Sequence, residues 1–294
     1  MDLPARNIIS CKMYDFNNKT FSDFEIKFNL CIDRIAIGGF SSIYKLDNDC
    51  VLKCVTRELC KFNNEYNIAN EALVLFMIDH PLFLGYFENE SSCFFKFKRI
   101  GKSFDDFCHD KKIKSFIFNS EHDIKTSAKL YNIILDETIG RMINITRQTK
   151  ELLDKKIYHA DLKLENILYI PGKYQDYTTY IIDFGMCEFL SGDKSSYVGG
   201  TQMYMPPEFF SQDEYNVEKR IVWSIGVMIY RLLFGRYPYD AENFESFKGF
   251  PRIASSSLKN LLECALEIEP DCRIDLNCLL NQLSLLHKEI KNKT

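Results

Sequence analysis

The first third of the chain alternates apolar and polar residues as β-strands do. Four segments carry this pattern, separated by glycine or polar turns: 24–37, 41–46, 49–55 and 80–100. The segment NNEYNIANEALVLFMID (63–79) instead has helical spacing, with Asn63 and Asn64 as candidates for its N-cap. The pattern therefore predicts a β-rich first part that contains one helix.

From Gly101 onward the apolar spacing becomes helical. Five segments show it: 103–111, 135–156, 222–235, 257–268 and 275–290. Two short apolar segments, NILYI (166–170) and TTYIID (178–183), are predicted strands. Strands with one helix followed by a larger helical part predict an α+β fold in two lobes.

Composition narrows the class of protein. The 294 residues are 46% hydrophobic and carry a net charge of −4, which argues against a general nucleic-acid binder. No run approaches the ~20 apolar residues of a membrane span, and the N-terminus lacks a signal-length apolar core. The 11 cysteines are odd in number and form no Cys-x-x-Cys pair, so we expect reduced thiols rather than disulfides or zinc ligands. We therefore expect an intracellular protein without a membrane or direct nucleic-acid partner.

Charged and amide residues are concentrated in YHADLKLENILY (158–169). Asp161 and Asn166 stand five apart on a loop entering a predicted strand, and Asp183 begins DFG after the next strand. A hairpin of these two strands can bring the three side chains together. Their oxygens are hard ligands suited to Mg²⁺. Phosphoryl transfer needs such a metal and a carboxylate facing the attacking hydroxyl.

These motifs resemble the eukaryotic protein kinase family, in its serine/threonine branch. HADLKLEN (159–166) resembles the kinase catalytic loop, DFG follows it, and GGTQMYMPPE (199–208) is similar to the segment before the substrate platform. The resemblance covers about Phe28 to Glu289. It implies a bilobal fold with an N-terminal extension (1–27), an N-lobe (28–97), a hinge (98–101) and a C-lobe (102–294).

The resemblance implies an ATP- and Mg²⁺-dependent transfer to serine or threonine hydroxyls of a protein substrate. Asp161 is expected to accept or orient the hydroxyl proton, and Lys163 to neutralise the γ-phosphate. Thr201 is expected to hydrogen-bond both of them, while Asn166 and Asp183 hold Mg²⁺. A second expected pair, Glu208 with Arg273, is structural.

The resemblance also implies a nucleotide-binding set in the first part of the chain. Lys53 of CVLK is expected to contact the α- and β-phosphates and to pair with Glu71; an exposed strand lysine and Glu65 as the partner are the alternatives. Phe97 is the expected gatekeeper, and the backbone of 98–101 is expected to meet adenine. The full set is Ala36, Gly38, Ser41, Ile43, Val51, Lys53, Glu71, Phe97, Lys98, Ile100 and Leu168.

The chain departs from the family pattern at four places. The glycine-rich loop is AIGGFS (36–41), and Val51 replaces the alanine above adenine. Ile221 replaces an aspartate that supports the catalytic loop, a role that Glu218 could take. Ala160 replaces the arginine that, in many kinases, binds a phosphorylated residue of the activation segment, so we expect no guanidinium there for a phosphate to neutralise. Activity is then expected without phosphorylation of the loop hydroxyls, which belong to Ser191, Ser195, Ser196 and Tyr197.

Two other functions remain open at the level of sequence. A pseudokinase, acting as a nucleotide-binding or scaffolding module, is suggested by Ile221 and the eroded glycine loop. A small-molecule phosphotransferase of related fold is disfavoured by GTQMYMPPE (200–208).

The chain is also similar to baculovirus kinases. That likeness implies an enzyme of the host cytoplasm or nucleus, with a basic DNA-packaging protein as one substrate. Arg231 occupies a position where arginine-directed kinases carry a glutamate, which leaves Glu165 as a possible reader of a substrate arginine. The sequence gives no oligomeric state.

Overall fold

A computed structural model of the chain divides into two compact units. The N-terminal unit comprises residues 1–100 and 183–187, and the C-terminal unit comprises 101–182 and 188–294. The structure describes residues 7–28, 34–46, 49–58, 66–109, 124–171, 175–240, 243–252 and 254–292.

The described strands and helices follow in chain order. The strands are β1 (Asn7–Asp15), β2 (Thr20–Phe28), β3 (Arg34–Ile37), β4 (Ser41–Leu46), β5 (Cys50–Thr56), β6 (Phe83–Glu88), β7 (Ser92–Lys98), β8 (Lys102–Ser103), β9 (Ile157–Tyr158), β10 (Ile167–Tyr169), β11 (Thr179–Ile181), β12 (Glu188–Phe189), β13 (Lys194–Ser195) and β14 (Tyr215–Asn216). The α-helices are α1 (Ile68–Met77), α2 (Phe104–His109), α3 (Ile124–Asp154), α4 (Glu208–Ser211), α5 (Val217–Phe234), α6 (Ser256–Ala265) and α7 (Leu276–Lys291).

The N-terminal unit is built on an antiparallel sheet of seven strands in the order β2-β1-β6-β7-β5-β4-β3. Leu52 on β5 and Phe94 on β7 are both buried, and they belong to one apolar cluster. The turn between β6 and β7 is closed by Asn89, whose side-chain oxygen accepts from the N–H groups of Ser91 and Ser92. The register places Lys53 opposite Phe95.

The sheet includes a hairpin that the sequence did not predict. Strand β1 pairs with β2 along its whole length and with β6 on its other side. Cys11 and Ile26 of this hairpin are buried in the same cluster as Leu52. Residues 7–27 therefore contribute to the sheet, although the sequence suggested that 1–27 is an extension. The boundary at residue 28 stays a prediction.

Helix α1 carries Glu71 and is capped at its N-terminus. Asn67 is the N-cap, and its side chain accepts a hydrogen bond from the N–H of Asn70. The cap is thus Asn67, whereas the prediction named Asn63 and Asn64, which lie outside the described residues.

The C-terminal unit is mainly helical, with α5 buried along most of its length. Helix α5 begins at Val217, five residues before the predicted start, because Asn216 caps it by accepting from the N–H of Lys219. Helix α3 begins at Ile124, also earlier than predicted. The short strands β10 and β11 form a predicted hairpin that carries the loop before Ile167. The prediction of an α+β protein with a β-rich first part and a larger helical part is confirmed.

Candidate active site

A buried lysine with two carboxylate partners forms the charged centre of the N-terminal unit. Lys53 on β5 lies 2.7 Å from Oε1 of Glu71 on α1 and 2.6 Å from Oδ1 of Asp183. Burial alone lowers the pKa of Lys53, but the carboxylates of Asp183 and Glu71 outweigh burial and hold it above its ordinary value. The lysine is therefore a fixed positive charge, and the predicted Lys53–Glu71 pair is present.

Glu71 has a second partner that the sequence did not reveal. The hydroxyl of Tyr66 donates a hydrogen bond to Oε2 of Glu71, so both carboxylate oxygens are occupied. Glu65, the alternative partner of Lys53, lies outside the described residues. The Glu71 carboxylate, which is fully buried, is thus fixed from two sides.

The segment after Asp183 is tied to α1 within the same unit. Asp183 has left-handed backbone angles (φ 66°, ψ 66°), and Phe184 behind it is buried with its ring edge-on to His80. The Gly185 carbonyl accepts the N–H of Asn67 at 2.7 Å. A side chain at Gly185 would meet the ring of Tyr66 at 1.8 Å, so glycine alone fits there.

The predicted glycine-rich loop joins β3 and β4. Its turn is closed by Gly38, whose N–H donates to the Ser41 carbonyl at 2.7 Å. Ala36 lies opposite Ile43, and Ile43 lies opposite Lys53 on the next strand. The structure thus places Ala36, Ile43 and Lys53, which are predicted to bind the nucleotide, on adjacent strands.

Phe97 and the start of the predicted hinge lie at the end of β7. Phe97 is opposite Val51 on β5 and packs among the rings of His80, Phe83 and Phe95. Its side chain therefore belongs to an aromatic cluster of the N-terminal unit.

The backbone that follows Phe97 already makes internal bonds. The N–H groups of Lys98 and Arg99 donate to the carbonyls of Leu82 and Asp49. Ile100 is the last residue of this part of the unit. The hinge segment is thus anchored at its first two residues.

Gly101, the next residue, opens the C-terminal unit with a left-handed φ of 47°. A Cβ there would lie 1.7 Å from the Tyr169 carbonyl oxygen, which explains the glycine. Leu168, which is also predicted to bind the nucleotide, lies on β10 opposite Ser103 and Tyr180.

Three side chains of the C-terminal unit form a closed triangle. Thr201 Oγ1 donates to Asp161 Oδ1 at 2.7 Å and accepts from Lys163 Nζ at 2.7 Å. Lys163 Nζ also lies 2.7 Å from Asp161 Oδ2. The Asp161 carboxylate therefore interacts with two donors, Thr201 and Lys163. It is also largely buried, since Asp161 is 7% exposed. The structure therefore brings together the residues predicted to be catalytic.

Asn166 and His159 fix the loop around this triangle. The side-chain amide of Asn166 donates to the Asp161 carbonyl at 2.9 Å and to Oδ2 at 3.2 Å. His159 lies with Nε2 3.0 Å from the Ile182 carbonyl and accepts the Asp161 N–H at Nδ1, which assigns the proton to Nε2. The Asn166 carbonyl also accepts the N–H of Ile182. The loop is thus held by the side chains of Asn166 and His159 and by a backbone bond to Ile182.

The structure corrects one expectation about the loop. We expected no guanidinium beside the catalytic loop because residue 160 is alanine, but the guanidinium of Arg220 donates to the Ala160 carbonyl at 3.0 Å. This arginine comes from α5, 60 residues along the chain, so no local motif reveals it. Glu218, the suggested substitute for the missing aspartate, instead accepts the N–H of Leu276 at the start of α7.

Two arginines of the C-terminal unit form further ion pairs, of which only the pair of Arg273 with Glu208 was predicted. Arg273 binds Glu208 through both guanidinium Nη atoms, at 2.6 and 3.0 Å, as predicted. Arg231 binds Glu165 at 2.9 Å and Asp105 at 2.5 Å. Glu165 is therefore already engaged by an arginine of the same chain.

The hydroxyl residues of the loop after Asp183 differ in accessibility. Ser191 and Ser196 are exposed, whereas Ser195 is buried and donates to Glu188 at 2.5 Å. Tyr197 is partly buried, and its carbonyl accepts the hydroxyl of Tyr215.

Comparison with known proteins identifies the family. The model of the protein kinase domain matches residues 32–284, and the chain belongs to this family. A putative serine/threonine-protein kinase 040L of Invertebrate iridescent virus 3 is 30% identical over 253 residues, covering 80% of this chain and 72% of that protein. The chain is thus a protein serine/threonine kinase with viral relatives.

Other relatives match smaller shares of their own length. Serine/threonine-protein kinase 1 of Heliothis zea nuclear polyhedrosis virus is 36% identical over 107 residues, 36% of this chain and 38% of that protein. Serine/threonine-protein kinase PLK4 of Nematostella vectensis is 23% identical over 293 residues, 93% of this chain and 27% of that protein. The predicted likeness to viral kinases, including a baculovirus one, is confirmed. Within the part of the chain that the structure describes, no helix is long and apolar enough to cross a membrane.

Proposed function

We propose that this kinase transfers the γ-phosphate of ATP, in a Mg²⁺-dependent reaction, to serine and threonine hydroxyls of proteins. The observation that carries the proposal is the triangle of Asp161, Lys163 and Thr201, with mutual distances of 2.7 Å. A carboxylate held in this way presents a fixed negative charge to an incoming hydroxyl, and the lysine beside it offers a positive charge to a phosphate. This is the chemistry that transfer to an alcohol requires.

The phosphates of ATP are assigned to Lys53, whose ammonium is buried and held by Glu71 and Asp183. Mg²⁺ is assigned to Asn166 and Asp183. The oxygens of a carboxylate and an amide suit this hard cation, and the amide nitrogen of Asn166 is already used toward Asp161. The bound metal would neutralise charge on the transferred phosphoryl group.

The adenine of ATP is assigned to Val51, Phe97 and the backbone of 98–101, and the loop of Ala36, Gly38 and Ser41 to the phosphates. Val51 and Phe97 are direct cross-strand neighbours in the sheet, which supports a common role. A phenylalanine at 97 packed among other rings leaves little room behind the base. The backbone of 98–101 is proposed to provide the hydrogen bonds to adenine.

We further propose that activity needs no phosphorylation of the loop after Asp183. A guanidinium near a catalytic aspartate favours a phosphorylated loop when its donors lack partners. Arg220 already donates to Tyr215, Ala160 and Gly199. Ser195 is buried and bonded to Glu188, which also argues against it as a phosphosite.

A basic DNA-packaging protein is proposed as one substrate, inside an infected host cell. The proposal is supported by the viral relatives, whose names describe serine/threonine kinases. Because Arg231 already neutralises part of the charge of Glu165 and Asp105, a strict requirement for one substrate arginine is not expected.

The test is transfer from ATP to a basic protein, with and without Mg²⁺, and identification of the modified residue by mass spectrometry. Asp161→Asn and Asp183→Asn should each reduce transfer by about 10²-fold or more, because each removes a charge that the transition state needs. A wild-type chain that binds ATP but transfers no faster than these variants would show a pseudokinase instead.

A further inference from the structure

Arg220 is a buried cation whose hydrogen-bond partners are all neutral. The residue is 2% exposed. Its Nη2 donates to the Ala160 carbonyl at 3.0 Å and to the Gly199 carbonyl at 2.8 Å, and its Nη1 donates to the Tyr215 hydroxyl at 2.6 Å. Among the residues that the structure describes, no carboxylate pairs with it.

Burying a charge without a counter-charge is unfavourable, so the surroundings must compensate. Three aromatic rings do so: the guanidinium carbon lies 4.4 Å from the ring centroid of Phe209, 4.8 Å from that of Tyr215 and 5.5 Å from that of Tyr158. An apolar side chain would be easier to bury at this position. We therefore expect the guanidinium donors to hold particular backbone groups in place.

The two carbonyls that share Nη2 belong to the two backbone segments around the catalytic triangle. Ala160 precedes Asp161 directly and holds a left-handed φ of 59°, which is unfavourable for a residue with a Cβ. Gly199 stands two residues before Thr201, which donates to Asp161. One nitrogen atom therefore fixes both the peptide that aims Asp161 and the segment that presents Thr201.

A neighbouring glycine leaves room for this contact. Gly200 has φ 125°, and a Cβ there would lie 2.7 Å from the Ala160 carbonyl oxygen and 2.8 Å from Nη2 of Arg220. Tyr215 extends the same network, since its hydroxyl donates to the Tyr197 carbonyl at 2.5 Å. The loop after Asp183 is thus attached to α5 through Arg220 and to β14 through Tyr215.

We propose that Arg220 is the positioning residue that takes over from the aspartate replaced by Ile221. An aspartate accepts hydrogen bonds from backbone N–H groups, whereas Arg220 donates hydrogen bonds to backbone carbonyls. The catalytic loop is therefore supported from the position before Ile221 on α5, by a donor instead of an acceptor. Arg220 orients Asp161 and Thr201 and does not touch the substrate. This inference rests on the proposed role of Asp161 in transfer.

The experiment compares Arg220→Met with the wild-type chain and with Arg141→Met as the matched control. Arg141 is also a buried arginine of the C-terminal unit and stacks 5.0 Å from the ring centroid of Tyr169, but it pairs with Glu137 on α3. The quantities measured are kcat, KM for ATP, nucleotide affinity by equilibrium binding and Tm. Misplacing a catalytic group by about 1 Å costs about 10²-fold in rate, so Arg220→Met should lower kcat by roughly that factor. KM for ATP and nucleotide affinity should stay within about threefold.

Arg220→Lys keeps the charge and serves if Arg220→Met does not fold. An ammonium lacks the planar fork that reaches two carbonyls and a hydroxyl together, so kcat should fall by about tenfold with nucleotide affinity kept. Arg141→Met should keep kcat within about threefold even where its Tm falls.

Several outcomes would overturn the inference. The first is a wild-type kcat in Arg220→Met or in a folded Arg220→Lys. The second is a loss of nucleotide affinity in Arg220→Met as large as its loss of kcat. The third is a loss of kcat in Arg141→Met as large as that in Arg220→Met. If Asp161→Asn is inactive while Arg220→Met is fully active, this inference alone fails. A wild-type chain without transfer activity would overturn both the inference and the proposed function.

Discussion

The charged centres of the two units are stabilised in different ways. In the N-terminal unit, Lys53 is held by the carboxylates of Glu71 and Asp183, so charge is balanced by charge. In the C-terminal unit, Arg220 is held by two carbonyls, one hydroxyl and aromatic rings, so charge is balanced by dipoles. Removing Lys53 leaves two carboxylates together, whereas removing Arg220 leaves only neutral acceptors. The first centre should therefore be sensitive to any single change, and the second mainly to the loss of geometry.

The largest expected effect tests the balance of charge in the N-terminal unit. Lys53→Met and Glu71→Gln should each reduce kcat/KM for ATP by about 10²–10³-fold, because the lysine is lost or no longer held. The double variant should be no worse than the more damaging single one, since the two residues act as a unit. Steady-state kinetics of all three variants give the comparison.

Glu65→Gln is the control for this pair, and a mild effect is expected. Multiplicative losses in the double variant would show that Lys53 and Glu71 act independently. A severe loss of kcat/KM in Glu65→Gln with a mild loss in Glu71→Gln would show that Glu65, and not Glu71, is the functional partner of Lys53.

The second effect concerns the hydroxyl that joins Asp161 to Lys163. Thr201→Ala should lower kcat by about tenfold, the equivalent of one hydrogen bond to a charged group, because Lys163 still pairs with Asp161 directly. Thr201→Ser keeps the oxygen and should recover most of the rate. If Thr201→Ser were as slow as Thr201→Ala, the methyl group rather than the hydroxyl would be responsible.

A third, smaller effect concerns substrate preference. Arg231→Ala frees Glu165 and Asp105 from their common partner, so kcat/KM should rise by about threefold to tenfold for peptides with arginine before the acceptor, relative to alanine. Arg236, an exposed arginine close to it in sequence, provides the control variant Arg236→Ala. An unchanged ratio in Arg231→Ala would mean that Glu165 does not read the substrate.

The smallest effect is expected when the loop hydroxyls are removed. Replacing Ser191, Ser195 and Ser196 by alanine and Tyr197 by phenylalanine, followed by phosphatase treatment, should leave kcat within about threefold. A second variant that keeps Ser195 separates the loss of its bond to Glu188 from the loss of a phosphosite. Loss of most turnover, with recovery on an acidic replacement at one position, would show that the enzyme is switched by phosphorylation.

Most of the charged site could be predicted because its members stand at fixed distances along the chain. Asp161, Lys163 and Asn166 lie in one short loop before β10, and Asp183 follows β11, which pairs with β10. Lys53 and Glu71 were predicted from the resemblance of their segments to the protein kinase family, and the predicted pair is present.

Arg220 could not be predicted because its partners are backbone carbonyls. A carbonyl is present at every residue, so the sequence does not indicate that Ala160 and Gly199 are the two that the arginine reaches. Tyr66 was missed for a similar reason, since a tyrosine near a helix start is most often a packing residue.

The hairpin β1–β2 did leave a signal in the sequence. Apolar residues recur at every second position through Ile9, Cys11 and Met13, and Asp15 accepts from the N–H groups of Asn17 and Asn18 to close the turn. An apolar period of two that ends at such a turn is typical of a β-hairpin.

That hairpin has a practical consequence for the limits of the catalytic domain. The ring of Phe16 stacks 4.7 Å from that of Phe76 on α1, the helix that carries Glu71. The match to the family begins at residue 32, so a chain trimmed to the family limits would lose this brace along with Cys11 and Ile26. Weak activity of such a shortened chain would then reflect a damaged sheet, so enzymology and inhibitor screening should use a chain that keeps residues 7–28.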